Sequence, residues 1–164
     1  VDAERVLIEV ADTDDALQIL DLQRLAFQSE AALWDDYTIP PLTQTLSKLK
    51  ADFRRQVFLK ATVEGNIVGS VRGHIQRGTC FVGRLIVHPD YQNRGIGTQL
   101  MHEIERHFAQ ARRYEIFTGQ KSERNIYLYQ KLGYHIFRTQ RLTDKVTLVY
   151  MEKDNTAAQD SSPE

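Results

Sequence analysis

Two glycines, Gly95 and Gly97, stand between an apolar run that ends in Val87-His88-Pro89 and a segment with apolar residues at Ile96, Leu100, Ile104 and Phe108. The run reads as a strand stopped by proline, which cannot continue a central ladder, and the four-residue spacing reads as a helix with a buried stripe. Residues 85–98 are therefore strand, tight turn and helix N-terminus. Glycine lets backbone amides approach a ligand unobstructed, while the first turn of a helix offers unpaired N–H groups and the positive end of its dipole. Such a turn suits a pyrophosphate, and Arg94 can add charge from the side. The same glycine pair also serves a tight strand-to-helix turn with close packing. No Gly-Lys-Ser/Thr follows, so this is not a Walker loop, and Leu100 occupies the place of the third glycine in a dinucleotide-binding fingerprint.

The elements that must position this turn follow from pattern. Residues 6–10 read as a strand and residues 11–27 as a capped helix. A polar, acidic loop is expected over 29–37, with extended backbone forced at Ile39-Pro40-Pro41. Leu42, Leu46, Leu49 and Phe53 predict a second helix over 43–55. Strands are expected at 56–63 and 67–75, joined by a Glu64-Gly65-Asn66 hairpin turn, then at 79–87. After the helix at 97–110 come a strand at 114–118, a short helix at 124–132 closed by Gly133, and strands at 134–137 and 146–151. The class is mixed α/β, with antiparallel sheet in the middle of the chain. Residues 1–153 make one domain, and the polar, unpatterned residues 154–164 are expected to be a disordered tail.

Composition narrows the function classes. Lysine plus arginine total 21 against 22 aspartate plus glutamate, which leaves no electrostatic footprint for nucleic acid or an anionic membrane. Cys80 is the sole cysteine and no Cys/His cluster has zinc-site spacing, so neither a disulfide nor a metal is expected. No charged-then-apolar leader and no run of about 18 apolar residues is present, which places the chain in the cytoplasm by default. The sequence opens on Val1 rather than methionine, which points to residues removed ahead of it.

Val87-His88-Pro89 followed by Gln92-Asn93-Arg94-Gly95-Ile96-Gly97 resembles the Gln/Arg-x-x-Gly-x-Gly/Ala motif of the GNAT acetyltransferases with its preceding Val-x-Pro. Asn125-Ile126-Tyr127-Leu128-Tyr129-Gln130-Lys131-Leu132-Gly133-Tyr134 is similar to a second segment of that family, and the order of elements agrees over residues 4–152. The resemblance implies a mostly antiparallel sheet of about seven strands, splayed at a cofactor cleft and flanked by about four helices. It further implies acetyl-coenzyme A as co-substrate and an amine as acceptor, and a homodimer is in keeping with it.

Carried over position by position, Leu85 and Val87 would pair with the pantetheine arm through their main chain. Gln92, Asn93, Arg94, Gly95, Ile96, Gly97 and Thr98 would seat the pyrophosphate, and Asn125 would bond the pantetheine unless it caps its helix. The Leu85 N–H would stabilise the oxyanion. Tyr129 would protonate the departing thiolate, although Tyr127 and Tyr134 are equally aromatic and packing could claim any of the three. The chain departs from the pattern in one respect: residues 79–87 hold no carboxylate, where several members place a glutamate base. Glu30 and His74 are the candidates instead, against their plainer readings as a solvated loop acid and a strand-surface histidine. Glu30, Trp34, Asp35, Asp36 and Tyr37, acids beside aromatics, suit a cationic acceptor such as a small primary amine or a peptide amine. Two rivals remain, a nonenzymatic coenzyme A-binding or regulatory domain and, more distantly, a fragment of a dinucleotide-binding oxidoreductase.

Overall fold

Glu64 and Gly65 both take left-handed backbone, with φ of 51° and 81°, as do Arg77 and Gly78 at 52° and 83°. Consecutive positive φ values are the demand of a two-residue turn whose twist matches its strands, so two tight hairpins form in succession. They join β2 (Val57–Val63), β3 (Asn66–Gln76) and β4 (Thr79–Val87) into the antiparallel centre of the sheet. The computed structural model describes residues 5–156. β1 (Val6–Val10) adds to the β2 edge, while β5 (Arg113–Gly119), β6 (His135–Arg141) and β7 (Thr147–Asp154) form the other half. The order is β1-β2-β3-β4-β5-β7-β6, antiparallel throughout except for β4 with β5.

That parallel pair carries the fold's functional irregularity. Only Thr79, Cys80 and Phe81 pair with Arg113, Tyr114 and Glu115. Beyond Phe81 the strands separate, although β4 runs on to Val87 and β5 to Gly119. β4 also bends: Ser70 pairs with Ile86 but Arg72 with Gly83, so Arg84 and Leu85 together oppose Val71, and Arg84 takes φ of 45°. A bulge of this kind inserts an extra residue and turns the strand.

Helices cover the two faces unequally. α5 (Ile96–His107) lays Leu100, Met101 and Ile104, all fully buried, on one face with Val71, Val82 and Ile116. Gly69 and Gly73 let it approach closely, since a Cβ on Gly69 would come within 3.0 Å of the Leu100 side chain. α6 (Glu123–Lys131) adds Tyr129 to the same core. The other face of β2–β4 is covered by α1 (Ala16–Ala26) and α4 (Leu46–Asp52), where Ile19, Leu20, Leu49 and Phe58 form a second, smaller cluster.

Several boundaries differ from expectation. The stretch expected to be a loop forms α2 (Gln28–Trp34), because Ala31 and Trp34, one turn apart, both find a surface to bury. Pro40 and Pro41 do not hold the chain extended; extended backbone ends at Ile39, and the prolines open a one-turn helix, α3 (Pro40–Thr43), where a missing N–H has no intrahelical partner to lose. The helix expected over 43–55 is the shorter α4, with α3 a separate turn ahead of it, and Thr45 caps α4 by accepting from the Lys48 N–H at 3.2 Å. Six α-helices are present among the described residues rather than about four. β6 reaches Arg141 instead of stopping at Phe137, exposed along its whole length as the sheet's edge. The first residues of the expected tail are placed: Asp154 belongs to β7, and the Asn155 side chain donates to the Ala109 and Ala111 carbonyls at 2.8 Å each. Residues 1–4 and 157–164 lie outside the described residues.

Cys80 sits fully buried at the root of the split, and burial, reinforced by the negative charge of Glu105, pushes its thiol up to about 12. A thiol so held is inert. In the folded protein at pH 8, titration with a disulfide reagent is expected to find essentially no reactive thiol, with one equivalent appearing on denaturation.

Candidate active site

The site is built around the split between β4 and β5. The His88 N–H bonds back to the Val68 carbonyl of β3 at 2.7 Å. Since strand groups alternate in direction, the main-chain groups of Val87 face away from β3 and towards the split. The Gln92 side chain reaches the Val87 carbonyl from that side, at 3.4 Å. Leu85 lies one turn of the pleat earlier, within the bulge and on the stretch that has no β5 partner.

At the open end of β4 the glycine turn takes the shape its composition suggests. Asn93 and Gly95 are left-handed, with φ of 64° and 81°, either side of Arg94. Left-handed residues interleaved with ordinary ones give the backbone pattern of an anion-binding nest. Gly95 precedes α5, no side chain caps that helix, and its first bond runs from the Gln99 N–H to the Gly95 carbonyl. The amides of Ile96, Gly97 and Thr98 therefore have no acceptor within the helix. A Cβ on Gly97 would make ordinary contacts with Leu128, Leu85 and Val87 at 3.6–3.9 Å, so the seat rests on both walls of the split. The Arg94 guanidinium lies over the Tyr91 ring, 5.0 Å from its centre. The backbone and charge here fit a pyrophosphate.

Sequence reasoning missed Arg124. It reaches across from α6, donating to the side-chain oxygen of Gln92 and, at 2.9 Å, to that of Asn93, and so ties the turn to the far wall. The signal was a cation in the first turn of a helix, where the dipole disfavours it.

The far wall holds the polar groups. Asn125 does not cap its helix; the capping position belongs to Ser122, and Asn125 instead donates to Thr118 of β5 at 3.2 Å. Ser122, in turn, caps nothing with its side chain: it is buried, and its hydroxyl donates to Glu30 of α2. A serine before a helix normally spends its oxygen on the helix N–H groups, so this one is diverted to hold a carboxylate. Glu30 is therefore fixed over the split, not solvated in a loop.

Tyr129 is 3 % exposed, packed with Leu100, Ile116 and Met151, and no described residue hydrogen-bonds its hydroxyl. A buried phenol normally finds a partner. Burial, and then the nearby Glu30 charge, hold its acidity well below the usual tyrosine range, so it stays protonated at any ordinary pH. Tyr134 is committed elsewhere, donating to Glu105 at 3.0 Å, and Tyr127 is exposed. Of the three tyrosines only Tyr129 is both buried beside Glu30 and without a partner. His74 is less well placed. It pairs with Phe81 at the closed root of the split and stacks on that ring at 5.3 Å, with its Nδ1 buried and unpaired.

Most side chains of the acidic segment are engaged by neighbours in the fold. Trp34 is 6 % exposed, pressed on the Gly119 backbone at the end of β5, and Lys121 covers the ring at 5.3 Å. Lys145 bonds the Asp35 carbonyl at 2.9 Å and lies 3.9 Å from its carboxylate. Asp36 accepts from the Thr38 N–H and hydroxyl at 2.9 and 2.6 Å, which hold its carboxyl below the usual range. Tyr37 is exposed. Of the acids in this group only Glu30, on α2, reaches the polar wall of the split, where Ser122 bonds it, while Asp35 ends the helix with φ of 51°.

Residues 17–134 match the model of the acetyltransferase (GNAT) family. The chain belongs to the GNAT family. An acetyltransferase of Yersinia pestis is 37 % identical over 84 residues, 48 % of this chain and 57 % of that protein. The UPF0157 protein YqkA of Bacillus subtilis is 26 % identical over 119 residues, 73 % of this chain and 34 % of that protein. The chain thus spans between a third and somewhat over half of the curated relatives it matches. Among solved folds, the PaiA N-acetyltransferase of Thermoplasma acidophilum in complex with coenzyme A superposes with a TM-score of 0.76 at 16 % identity, covering 92 % of this chain and 99 % of that one. YncA of Salmonella typhimurium, solved with acetyl-CoA, gives 0.71 at 19 % identity, covering 98 % of each. The GNAT sheet is therefore present in full, with its split between β4 and β5.

Trp34 and Gly119 define the β5 end of this GNAT split sterically, since a Cβ on Gly119 would lie 2.8 Å from Nε1 of the tryptophan. Gly119→Ala is expected to destabilise the protein by about 1–3 kcal/mol in urea denaturation, as overpacking does. Adding Trp34→Leu should recover much of that loss, which a double-mutant cycle would read as coupling.

Proposed function

We propose that this domain transfers the acetyl group of acetyl-coenzyme A to a primary amine, directly and without an acyl-enzyme. The observation that carries the reading is the meeting, on the β5 wall of the split, of a fixed carboxylate and a protonated phenol that no described residue hydrogen-bonds. Further support comes from the α5 amides, which match a pyrophosphate, and from the relatives whose folds were solved with the coenzyme. Coenzyme A thioesters supply an activated acyl group, and the balance is simple: the amine nitrogen bonds the acetyl carbon, the carbon–sulfur bond breaks, and the proton lost by nitrogen ends on sulfur.

The chain's own residues divide that work. Gln92, Asn93, Arg94, Gly95, Ile96, Gly97 and Thr98 seat the pyrophosphate, and the main chain of Leu85 and Val87 aligns the arm as a strand would. The Leu85 N–H is the donor at the position where negative charge develops on the acyl oxygen. Asn125 holds the Thr118 side of the wall. Glu30 takes the proton of the ammonium, with Ser122 fixing the carboxylate; an amine with a pKa near ~10.4 must lose one before attack. Tyr129 donates to the sulfur. Its raised pKa makes it a hydrogen-bond donor to a developing thiolate more than a strong acid, which suffices because a thiol of pKa about 8.5 leaves readily.

A thiol-release assay with acetyl-coenzyme A and a panel of amines tests this, and buried Cys80 gives no background. Turnover is expected with at least one amine. Tyr129→Phe should lower kcat by roughly 10²-fold, the low end for a proton donor, with little change in the KM for acetyl-coenzyme A. Glu30→Gln should lower kcat/KM for the amine most at neutral pH and least at high pH, where free amine accumulates. Coenzyme binding without turnover would leave a binding module instead.

In wild type, kcat/KM should not fall as pH rises through 10, the ordinary phenol value, because the buried Tyr129 stays protonated beyond it. A downturn near pH 10 that Tyr129→Phe abolishes would contradict its buried, donor role.

A further inference from the structure

Arg84 is the residue at which β4 turns. It shares the bulge with Leu85, takes a left-handed φ that non-glycine residues rarely adopt, and lies on the stretch without a β5 partner. Its side chain points away from α5. The guanidinium reaches Gln44, between α3 and α4, through Nη1, and no other described residue hydrogen-bonds it. Arginine carries five donors, so most of this group's capacity is left unused by the described residues.

The surroundings sharpen the imbalance. Arg72, 5 % exposed, donates to Asp52 at 3.0 Å and to Gln23 at 2.8 Å, and its guanidinium lies 4.4 Å from the centre of the Phe58 ring. Gln44 donates to Asp52 at 2.8 Å and accepts from Gln23 at 3.1 Å. Asp52 is the only carboxylate in this network, it is already shared by Arg72 and Gln44, and the two guanidiniums repel each other. Two desolvated cations thus face one anion, and burying an unpaired charge is expensive. The surplus lies beside Leu85, on the face of β4 opposite α5, where α1 packs on β3 and β4. Glu30 stands on the other wall.

We propose that the acceptor of this transferase is a small primary amine that also carries a carboxylate, which Arg84 holds by its free guanidinium edge while Glu30 receives the ammonium. This specifies the acceptor within the reading above and rests on it. Arginine's planar fork matches a carboxylate bidentately, and an anion there would bring the network to neutrality. It also explains why the acids of residues 35–36 are spent on Lys145 and Thr38: recognition of a zwitterion needs one anion on the protein and one cation, not a cluster of acids.

The experiment compares matched pairs, several amino acids against their decarboxylated amines, with wild type and with Arg84→Asn. Asparagine tolerates left-handed backbone, so the bulge should survive, and the thermal midpoint and coenzyme A affinity check that it does. Wild type should favour the amino acids by 10- to 100-fold in kcat/KM. In Arg84→Asn that ratio should fall to near one, mainly through KM for the amino acid, and Arg84→Lys should restore part of it. Turnover that favours the decarboxylated amines, or a ratio that Arg84→Asn leaves intact, would overturn the assignment while leaving the acetyltransferase reading in place. Absence of turnover with every amine would instead overturn both.

Discussion

Everything in this fold depends on a parallel strand pair that stops after three residues. Backbone N–H and C=O groups demand partners, and in most sheets the neighbouring strand supplies them. Here Val82 to Val87 and Ile116 to Gly119 face a gap. Two steric devices hold it open. On the β4 side the bulge at Arg84 and Leu85 turns the strand away, and on the β5 side the Trp34 ring packs against Gly119 where any Cβ would collide. The gap is a place where an extended ligand can pair as a strand does, which is how a sheet without a side-chain nucleophile can still align a substrate.

The charges are distributed to match. Backbone amides, Arg94 and Arg124 gather at the open end of β4, while Glu30 and Tyr129 meet on the β5 wall. Glu30 is held by a serine withdrawn from capping α6, and Tyr129 is kept neutral by burial. The acetyl-transfer chemistry proposed here asks little more than this: a donor aimed at sulfur, a carboxylate aimed at nitrogen, and a main-chain N–H between them. Arg72, Arg84 and Asp52 belong to the opposite face of the same bulge, so the feature that opens the cleft also decides which charges line it.

Legibility in the sequence varied with the range of the interaction. The glycine turn was readable because Gly95 and the α5 stripe are local signals, and so was the α6 segment. α2 was not: its acidic composition suggested a loop, and only the burial of Ala31 and Trp34 against distant surfaces makes it a helix. The engagement of Trp34 and Asp35 was hidden for the same reason, since Gly119, Lys121 and Lys145 lie some 85 to 110 residues away along the chain. Glu30 reached the site for a reason composition does not show, namely the turn of helix that carries it inward. Arg124 and Arg84 were invisible as site residues because one is read as a surface charge and the other as a strand interior. Place in the fold makes them matter: Arg124 crosses from α6 to the glycine turn, and Arg84 sits at the register shift in β4.

Amide hydrogen exchange with and without coenzyme A tests the central claim most directly, because it reads backbone pairing residue by residue. Binding should protect Leu85 to Val87 together with the amides of residues 95–98, and should leave the fully paired β2–β3 hairpin unchanged. Protection confined to the residues 95–98, with none along the end of β4, would contradict the claim that the split serves as a strand-like seat.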